Sequence, residues 1–302
     1  MKIKRRMLKA FSLIFLVVLI FVVFYFVSMK KIDYKNNGKY FDGNGVLINF
    51  PRGELNIEKS DFESNENYTI TKLSYDSFGT RVYGLVLEPK VKNNVGVVLL
   101  PGAGVSKESE LELAGKIAGL GYAVITIDQR GAGETEGIPP DIEHEFYSFE
   151  SGNLTYYHLM AADALKAADV LRNEGIGKVI MIGESLGGRN AMIAAAVDDS
   201  IAGYIGISTA GFGYKDSGIM QQDNFMHSID ADYYIPKIAP RKAVMMHNTF
   251  DRNIPIDAAK STFSLARQPK EFITINDSKC NHGYCGSFYE GLKRSLESFD
   301  NG

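Results

Sequence analysis

The sequence predicts a domain of the α/β class, in which a mostly parallel sheet is flanked by helices. From about residue 68 onward, short apolar runs alternate with segments of helical length. Strands that alternate with helices imply parallel pairing through right-handed crossovers. Catalytic and ligand-binding residues in such sheets lie beyond the carboxyl ends of the strands. The loops that follow the apolar runs are therefore where a functional site is expected.

The predicted strands begin with a hairpin and continue as buried apolar runs. Thr69–Tyr75 and Arg81–Glu88 flank a turn-forming segment at residues 76–79 that ends in glycine. Continuous apolar runs favour strands that are buried on both faces. The further predicted strands are Val95–Leu100, Tyr122–Ile127, Val179–Ile182, Ile201–Ile207, Ala243–His247 and Glu271–Ile275.

Helices are predicted between these strands, and two irregular stretches remain. The predicted helices are Lys107–Leu120, Leu154–Asn173, one directly after Ser185, Ile256–Arg267 and one from about Ser287. Gly121 would end the first of them, and Asn153 would cap the second. The irregular stretches at 137–153 and between residues 207 and 243 carry aromatic and methionine side chains. Core packing is one interpretation of these stretches, and a small lid over the site is the other.

A candidate nucleophile lies at Ser185, in the segment Gly-Glu-Ser-Leu-Gly at residues 183–187. The pattern G-x-S-x-G is weak by itself in a chain with 30 glycines among 302 residues. Here it follows a predicted buried strand and precedes a run of small residues typical of a helix that packs closely on a sheet. A serine on such a sharp strand-to-helix turn has its hydroxyl exposed at the sheet edge.

A serine hydroxyl needs a base, and the base in turn needs a carboxylate that orients it. Of the five histidines, only His282 lies in the loop after the last predicted strand. His247 closes a strand and is expected to pack. Asp251 follows the preceding strand and is the predicted orienting acid, with Asp257 as the alternative. A helix-capping role is the other interpretation of Asp251.

With these motifs in place, the chain from about 68 to 300 resembles the α/β-hydrolase superfamily. The Gly-Gly at 187–188, the loop Asp128-x-Arg130-Gly131-x-Gly133 and the Tyr156–Leu171 helix are similar to the acetyl-xylan-esterase, dienelactone-hydrolase and prolyl-oligopeptidase-like branches. The resemblance implies the chain order serine, acid, histidine and hence a Ser185-Asp251-His282 triad. No cofactor and no metal is implied.

The same resemblance implies an oxyanion hole made of two backbone N–H groups. One is that of Leu186, directly after the nucleophile, and the other that of Ala103, in the loop after Val95–Leu100. Many relatives carry His-Gly in that loop, whereas this chain has Pro101-Gly102. A backbone donor does not depend on the side chain, so the departure leaves the predicted role of Ala103 intact.

Two cysteines, Cys280 and Cys285, bracket His282. A Cys-x-His-x-x-Cys metal cluster would need a fourth ligand, and none is marked nearby. A disulfide in an oxidising compartment would instead close a small loop and stiffen the segment that carries the base. The sequence leaves both interpretations open.

The amino-terminal region predicts a membrane anchor. The run from Ala10 to Met29 has no charge, and a helix of that length spans about 30 Å, the thickness of the hydrocarbon core. More Lys and Arg precede the run than follow it, which predicts a cytoplasmic amino terminus and an extracytoplasmic body. The predicted organisation is a basic tail at 1–9, an uncleaved anchor at 10–29, a spacer at 30–66 and a catalytic domain at 67–302.

These observations predict a membrane-anchored serine hydrolase. The predicted activity is hydrolysis of carboxylic esters, with small acyl or acetyl esters as substrates. A peptidase of the prolyl-oligopeptidase type would use the same residues, and a catalytically inactive binding module would keep the same fold. The net charge of −3 gives no reason to expect a nucleic-acid partner. The expected partners are a small ester substrate and, through residues 10–29, the lipid bilayer.

Overall fold

The computed structural model describes residues 40–300. The predicted basic tail and the predicted anchor at 10–29 lie outside the described residues. Within 40–300, none of the helices combines the length and the apolar character needed to cross a membrane.

A nine-stranded sheet forms the centre of the domain. In chain order its strands are β1 (Glu58–Ser64), β2 (Tyr68–Ser77), β3 (Thr80–Pro89), β4 (Val95–Leu100), β5 (Ala123–Ile127), β6 (Lys178–Glu184), β7 (Ile201–Ile207), β8 (Lys242–Asn248) and β9 (Lys270–Ile275). Their order across the sheet is β1-β2-β3-β5-β4-β6-β7-β8-β9. The pairs β1–β2, β2–β3 and β3–β5 are antiparallel, and all later pairs are parallel. The predicted α/β class with a mostly parallel sheet is confirmed.

Seven α-helices accompany the sheet in the described part of the chain. They are α1 (Leu111–Gly119), α2 (Ile142–Glu150), α3 (Tyr156–Asn173), α4 (Ser185–Val197), α5 (Met220–Ile229), α6 (Ile256–Leu265) and α7 (Tyr289–Asp300). Short 3₁₀ turns supplement them, including one at Lys107–Glu110 that precedes α1. The helix predicted from residue 107 therefore begins with a tighter turn.

The sheet separates two hydrophobic cores. Strand β4 is buried along its whole length, and its side chains alternate between the two faces as the period of a strand requires. Val98 and Leu100 belong to the core beneath α3, α4 and α6, whereas Val97 and Leu99 belong to the core beneath α1 and α7. A strand covered on both faces explains the uninterrupted apolar run in the sequence.

Residues 40–64 differ from the spacer that the sequence predicts. Phe41, Leu47 and Phe50 are buried in the core beneath α3, and the Leu47 N–H donates to the Tyr234 hydroxyl at 2.9 Å. A single antiparallel bridge joins residues 41 and 47. A strand forms instead at β1, which is exposed along its length and pairs with β2 at the sheet edge. Strand β1 could not be predicted from apolar alternation, because an exposed edge strand has no apolar face and its sequence is polar.

The turn from β6 to α4 brings two backbones unusually close together. Ser185 has a φ of +51°, a strained region for a residue with a side chain. A Cβ atom at Gly187 would lie 2.3 Å from the carbonyl oxygen of Leu100, and one at Gly183 would lie 2.3 Å from that of Gly187. The two glycines of G-x-S-x-G are thus required by the space available around the turn.

We therefore expect Gly187→Ala to lower the free energy of unfolding by about 1–3 kcal/mol, because the added methyl group can only be accommodated by moving backbone. Thermal or chemical unfolding measures the change. Gly119→Ala is the matched control, since nothing lies within 4 Å of the added atom there. That variant should be as stable as the parent or up to about 1 kcal/mol more stable, as an alanine favours a helix. Equal stabilities for the two variants would contradict the packing described.

Candidate active site

The residues predicted for the site lie at the carboxyl ends of neighbouring parallel strands. Ser185 follows β6, Asp251 follows β8 and His282 follows β9. Strands β6 to β9 are adjacent in the sheet and run in the same direction. Their loops therefore meet above one edge, where open α/β sheets carry their functional groups.

Asp251 and His282 are hydrogen-bonded to each other. The Nδ1 atom of His282 lies 2.8 Å from Oδ2 and 3.0 Å from Oδ1 of Asp251. The carboxylate is fully buried, whereas the imidazole is 18% exposed. An ionised carboxylate can only accept, so Nδ1 donates and Nε2 of the neutral ring is left as an acceptor.

The orientation of the Asp251 carboxylate is set by its own loop. Its Oδ1 accepts the backbone N–H groups of Asn253 and Ile254, both at 2.9 Å. This leaves Oδ2 for the imidazole of His282. The alternative acid, Asp257, is exposed on α6.

His247 packs behind this pair, as its position at a strand end predicts. It is completely buried, and its Nε2 donates to the Ile254 carbonyl at 2.8 Å. Burial lowers the pKa of His247, and the nearby His282 lowers it further, against the opposing effects of the Ile254 carbonyl and the Asp251 charge. A neutral His247 ring therefore packs beside Asp251 and adds no positive charge there.

Ser185 is half-buried at the start of α4, and its carbonyl accepts the Thr209 hydroxyl at 2.7 Å. Within residues 40–300, the side-chain hydrogen bonds of His282 are those to Asp251. The segment that carries His282 is nevertheless tied to the neighbour of the serine, because the Tyr284 N–H donates to Oε2 of Glu184 at 3.0 Å. Catalytic serine–histidine hydrogen bonds are often long until a substrate binds.

The loop predicted to supply an oxyanion donor runs directly beside Ser185. A Cβ atom at Gly102 would lie 3.7 Å from the Cβ of Ser185. The Pro101 carbonyl accepts the Gln129 side-chain amide at 2.5 Å, and Gln129 in turn accepts from the Asn190 side chain. Ala103 is exposed just beyond this anchor, and Leu186 directly follows the serine in the chain.

Gln129 and Asn190 are site residues that the sequence interpretation missed. Both are buried, and together they connect the loop at 101–104 to the helix that begins with Ser185. The one available signal was Asn190, a polar residue in the small apolar run after the nucleophile. Its partner Gln129 lies 61 positions away and belongs to no sequence pattern that would identify it.

The loop after β5 is held by buried ion pairs. Lys107 Nζ contacts carboxylate oxygens of Asp128 and Glu134, each at 2.7 Å. Burial alone would lower the pKa of Lys107, but its hydrogen-bonded carboxylates outweigh that effect and raise it. Arg130 forms a two-pronged contact with Asp163, at 2.8 and 3.0 Å. All of these charges are paired within the protein. The Lys107 pairs shape the loop, and the Arg130–Asp163 pair holds it to α3.

The two irregular stretches pack against each other. Phe146 of α2 and Phe225 of α5 have ring centroids 5.6 Å apart. Leu186, the neighbour of the serine, packs against the cluster that contains Phe225. A mostly apolar cavity of about 470 Å³ lies between the two helices. It is lined by Asp141, Ile142, Glu143, Phe146, Tyr214, Gln222, Phe225 and Met226.

The two cysteines form a disulfide, Cys280–Cys285. Their thiols are therefore not available as metal ligands, and the described part of the chain contains no group of histidines, cysteines and carboxylates that could hold a metal ion. The Asn248 side-chain amide donates to the Cys280 carbonyl at 2.5 Å. The loop that carries His282 is thus closed on itself and attached to the end of β8.

A family model described as the α/β-hydrolase fold matches residues 96–253, just over half of the chain. The chain belongs to the α/β-hydrolase fold family. Of the curated proteins, the uncharacterized protein YfhR of Salmonella typhi is 24% identical over 195 residues, which cover 57% of this chain and 59% of that protein. YfhR of Escherichia coli (strain K12) is 23% identical over 172 residues, 52% of this chain and 53% of that protein. The chain thus spans between half and three fifths of these relatives' length.

Solved structures share the fold at low sequence identity. An acetyl xylan esterase from Paenibacillus sp. R4 superposes with a TM-score of 0.66 and 18% identity, over 81% of this chain and 89% of that one. An acetyl xylan esterase from Thermoanaerobacterium sp. gives 0.66 at 13% identity, over 82% and 88%. Est1E from Butyrivibrio proteoclasticus, solved with ferulic acid, gives 0.56 at 17% identity, over 75% and 96%. At these identities the likeness shows the fold.

We expect loss of the disulfide to loosen the His282 loop. In Cys280→Ala/Cys285→Ala, the unfolded chain regains the freedom of a short loop, which costs about 2 kcal/mol of stability. Chemical unfolding measures the loss, and hydrogen exchange of the segment 277–288 should become faster. A reductant should destabilise the parent to the level of the variant and leave the variant unchanged. A parent that is insensitive to verified reduction would contradict this role.

Proposed function

We propose that the protein is a serine hydrolase that cleaves carboxylic esters through an acyl-enzyme. The observation that carries the proposal is the hydrogen-bonded pair Asp251–His282, whose loop is tied by Tyr284 to the residue before Ser185. A base that is oriented by a buried carboxylate beside a serine on a strained turn is the arrangement that nucleophilic catalysis needs.

In this proposal the Ser185 hydroxyl attacks the ester carbonyl carbon, while Nε2 of His282 accepts its proton. Asp251 stabilises the imidazolium that forms, and the ring then protonates the leaving alcohol. A water molecule, activated by the same base, releases the acid and restores the serine. The N–H groups of Ala103 and Leu186 would hold the negative oxygen of both tetrahedral intermediates, and each such donor contributes about 3–4 kcal/mol.

The apolar cavity between α2 and α5 supports a substrate that carries an apolar group. The apolar part of the cavity between α2 and α5 is lined by Ile142, Phe146, Phe225 and Met226. Leu186, the residue after the serine, packs against the cluster that contains Phe225. We place the larger apolar part of the substrate there, because ligand cavities of this kind bind by apolar contact. The named esterases among the solved structures agree with ester cleavage. A peptidase would use the same triad, so a panel of esters and peptides separates the two activities.

The proposal extends to location. The uncharged run at 10–29, with its basic flank, supports an anchor that leaves the catalytic domain outside the cytoplasm. The Cys280–Cys285 disulfide fits the same oxidising side of the membrane. Protease accessibility of the domain in spheroplasts tests this placement.

Ser185→Ala should abolish ester hydrolysis and covalent labelling by a fluorophosphonate, because the attacking oxygen is removed. We expect kcat for a short p-nitrophenyl ester to fall by roughly 10⁴-fold or more. Ser109 is an exposed serine in the 3₁₀ turn at 107–110. Ser109→Ala is therefore the matched control and should keep both the ester hydrolysis and the labelling. Labelling that persists in the Ser185 variant would refute this nucleophile, and a folded parent that neither labels nor hydrolyses esters would favour the binding-module alternative.

Asp251→Asn should abolish the function of the base while keeping its position. The amide oxygen would keep the N–H groups of Asn253 and Ile254, so the amide NH₂ would face Nδ1 of His282. Nδ1 must then accept, and Nε2 carries the proton and is unable to take one from Ser185. We expect kcat to fall by about 10⁴-fold at neutral pH.

The matched control for this prediction is Asp257→Asn, on the exposed face of α6. Its kcat should stay within about twofold of the parent, the change typical of a surface site. A large loss in the Asp257 variant with full activity in the Asp251 variant would exchange the two assignments.

A further inference from the structure

A second pair of carboxyl side chains lies beside Ser185 and has no part in the triad. Glu184 occupies the last position of β6, directly before the serine, and Glu110 ends the 3₁₀ turn that precedes α1. Glu110 is only 4% exposed. The two carboxyl groups lie within hydrogen-bonding reach of each other. Two carboxyl groups can make that bond only when they share a proton, since ionised carboxylates have no donor.

Glu184 holds the segment that follows His282. Its Oε2 accepts the Tyr284 N–H at 3.0 Å. Gly283 has a φ of +77°, and a Cβ atom there would lie 2.6 Å from the same oxygen. On the other side, the Ser208 hydroxyl donates to the Gly283 carbonyl at 3.3 Å. The backbone after the proposed base is thus pressed against one carboxylate oxygen of the residue before the proposed nucleophile.

We propose that Glu110 is a positioning residue, whose carboxylic acid donates to Glu184 and thereby holds the Glu184 carboxylate where it fixes the 282–284 segment, and with it His282, over Ser185. This inference rests on the proposed serine hydrolase function. Glu110 acts through Glu184 and the loop, and does not touch the reacting atoms.

The electrostatics of the two carboxyl groups make the Glu110–Glu184 contact dependent on pH. Burial raises the pKa of Glu110 to about 8, and the charge of Glu184 and the hydrogen bond between the two act in the same direction. Burial also raises the pKa of Glu184, opposed by the Tyr284 N–H, the His282 charge and the bond from Glu110. Among the described residues, Glu184 is the titratable group that faces Glu110, and Glu110 and His282 are the titratable groups that face Glu184. Glu110 therefore holds the shared proton at neutral pH.

Loss of that proton would place two negative charges in contact. The folded-state pKa of Glu110 lies above its ordinary 4.5. The contribution of its protonation to stability is therefore complete below about 4.5 and lost as pH rises through about 8. Above that pH the repulsion would separate the two carboxylates and displace the loop that Glu184 holds. Activity is then expected to fall on the alkaline side.

The experiment compares the full-length parent with Glu110→Gln, Glu110→Ala and the control Glu290→Gln, an exposed glutamate on α7. A glutamine keeps a neutral donor towards Glu184 at every pH, whereas an alanine removes the donor. We expect the alkaline limb of kcat/KM to lie near pH 8 in the parent and the control, and at higher pH in Glu110→Gln. Glu110→Ala should lose roughly tenfold to a hundredfold in kcat/KM at pH 7, as expected for a displaced base.

Hydrogen exchange of the segment 281–288 supplies a readout that does not need activity. At equal pH, that segment should exchange faster in Glu110→Ala than in the parent, and above pH 8 it should exchange more slowly in Glu110→Gln than in the parent. A Glu110→Gln pH profile that superimposes on the parent would overturn the inference. Unchanged exchange in both Glu110 variants would overturn it as well.

The two proposals fail in different ways. A parent that hydrolyses no ester and takes no fluorophosphonate label defeats the proposed function, and exchange in the 281–288 segment then still decides whether Glu110 positions the loop. A fully active parent whose profile and loop exchange do not respond to Glu110 defeats the positioning role alone.

Discussion

The close contact between the β6–α4 turn and the end of β4 is the constraint on which the site depends. Gly187 lies against the carbonyl oxygen of Leu100, so the start of α4 and the loop after β4 are pressed together. Ser185 has a left-handed conformation at this turn, and the 101–104 loop runs beside it. The proposed nucleophile and both proposed oxyanion donors therefore share one rigid corner of the sheet.

Polar side chains hold the loops of the site to that corner. Gln129 and Asn190 attach the loop after β4, and Asn248 and the disulfide attach the loop after β9. Glu184 connects the loop after β9 to the β6–α4 turn. The loops after β4 and β9 are thus each bound at the end of a neighbouring strand. A buried polar network of this kind favours one arrangement over others because unpaired partners would be costly.

The features that could be predicted from sequence are those with a local period or a local turn. The alternation of apolar runs predicted all the parallel strands within a residue or two, and Asp251 and His282, chosen for their positions after successive strands, do lie in contact. Strand β1 and the buried residues 41, 47 and 50 were not predicted. The burial of residues 41, 47 and 50 depends on partners such as Tyr234, far along the chain, whereas β1 is exposed and its sequence is polar.

The sequence by itself determined the fold class and the candidates for nucleophile, acid and base, because strand periodicity, the glycine-bounded serine and the placement of loops are properties of short segments. Only the tertiary structure decided which aspartate faces the histidine, that the cysteines are bonded, and that Glu110 meets Glu184. Those outcomes depend on distances between residues that are separated along the chain by many positions. The packing of the sheet and helices sets those distances, and no local pattern encodes them.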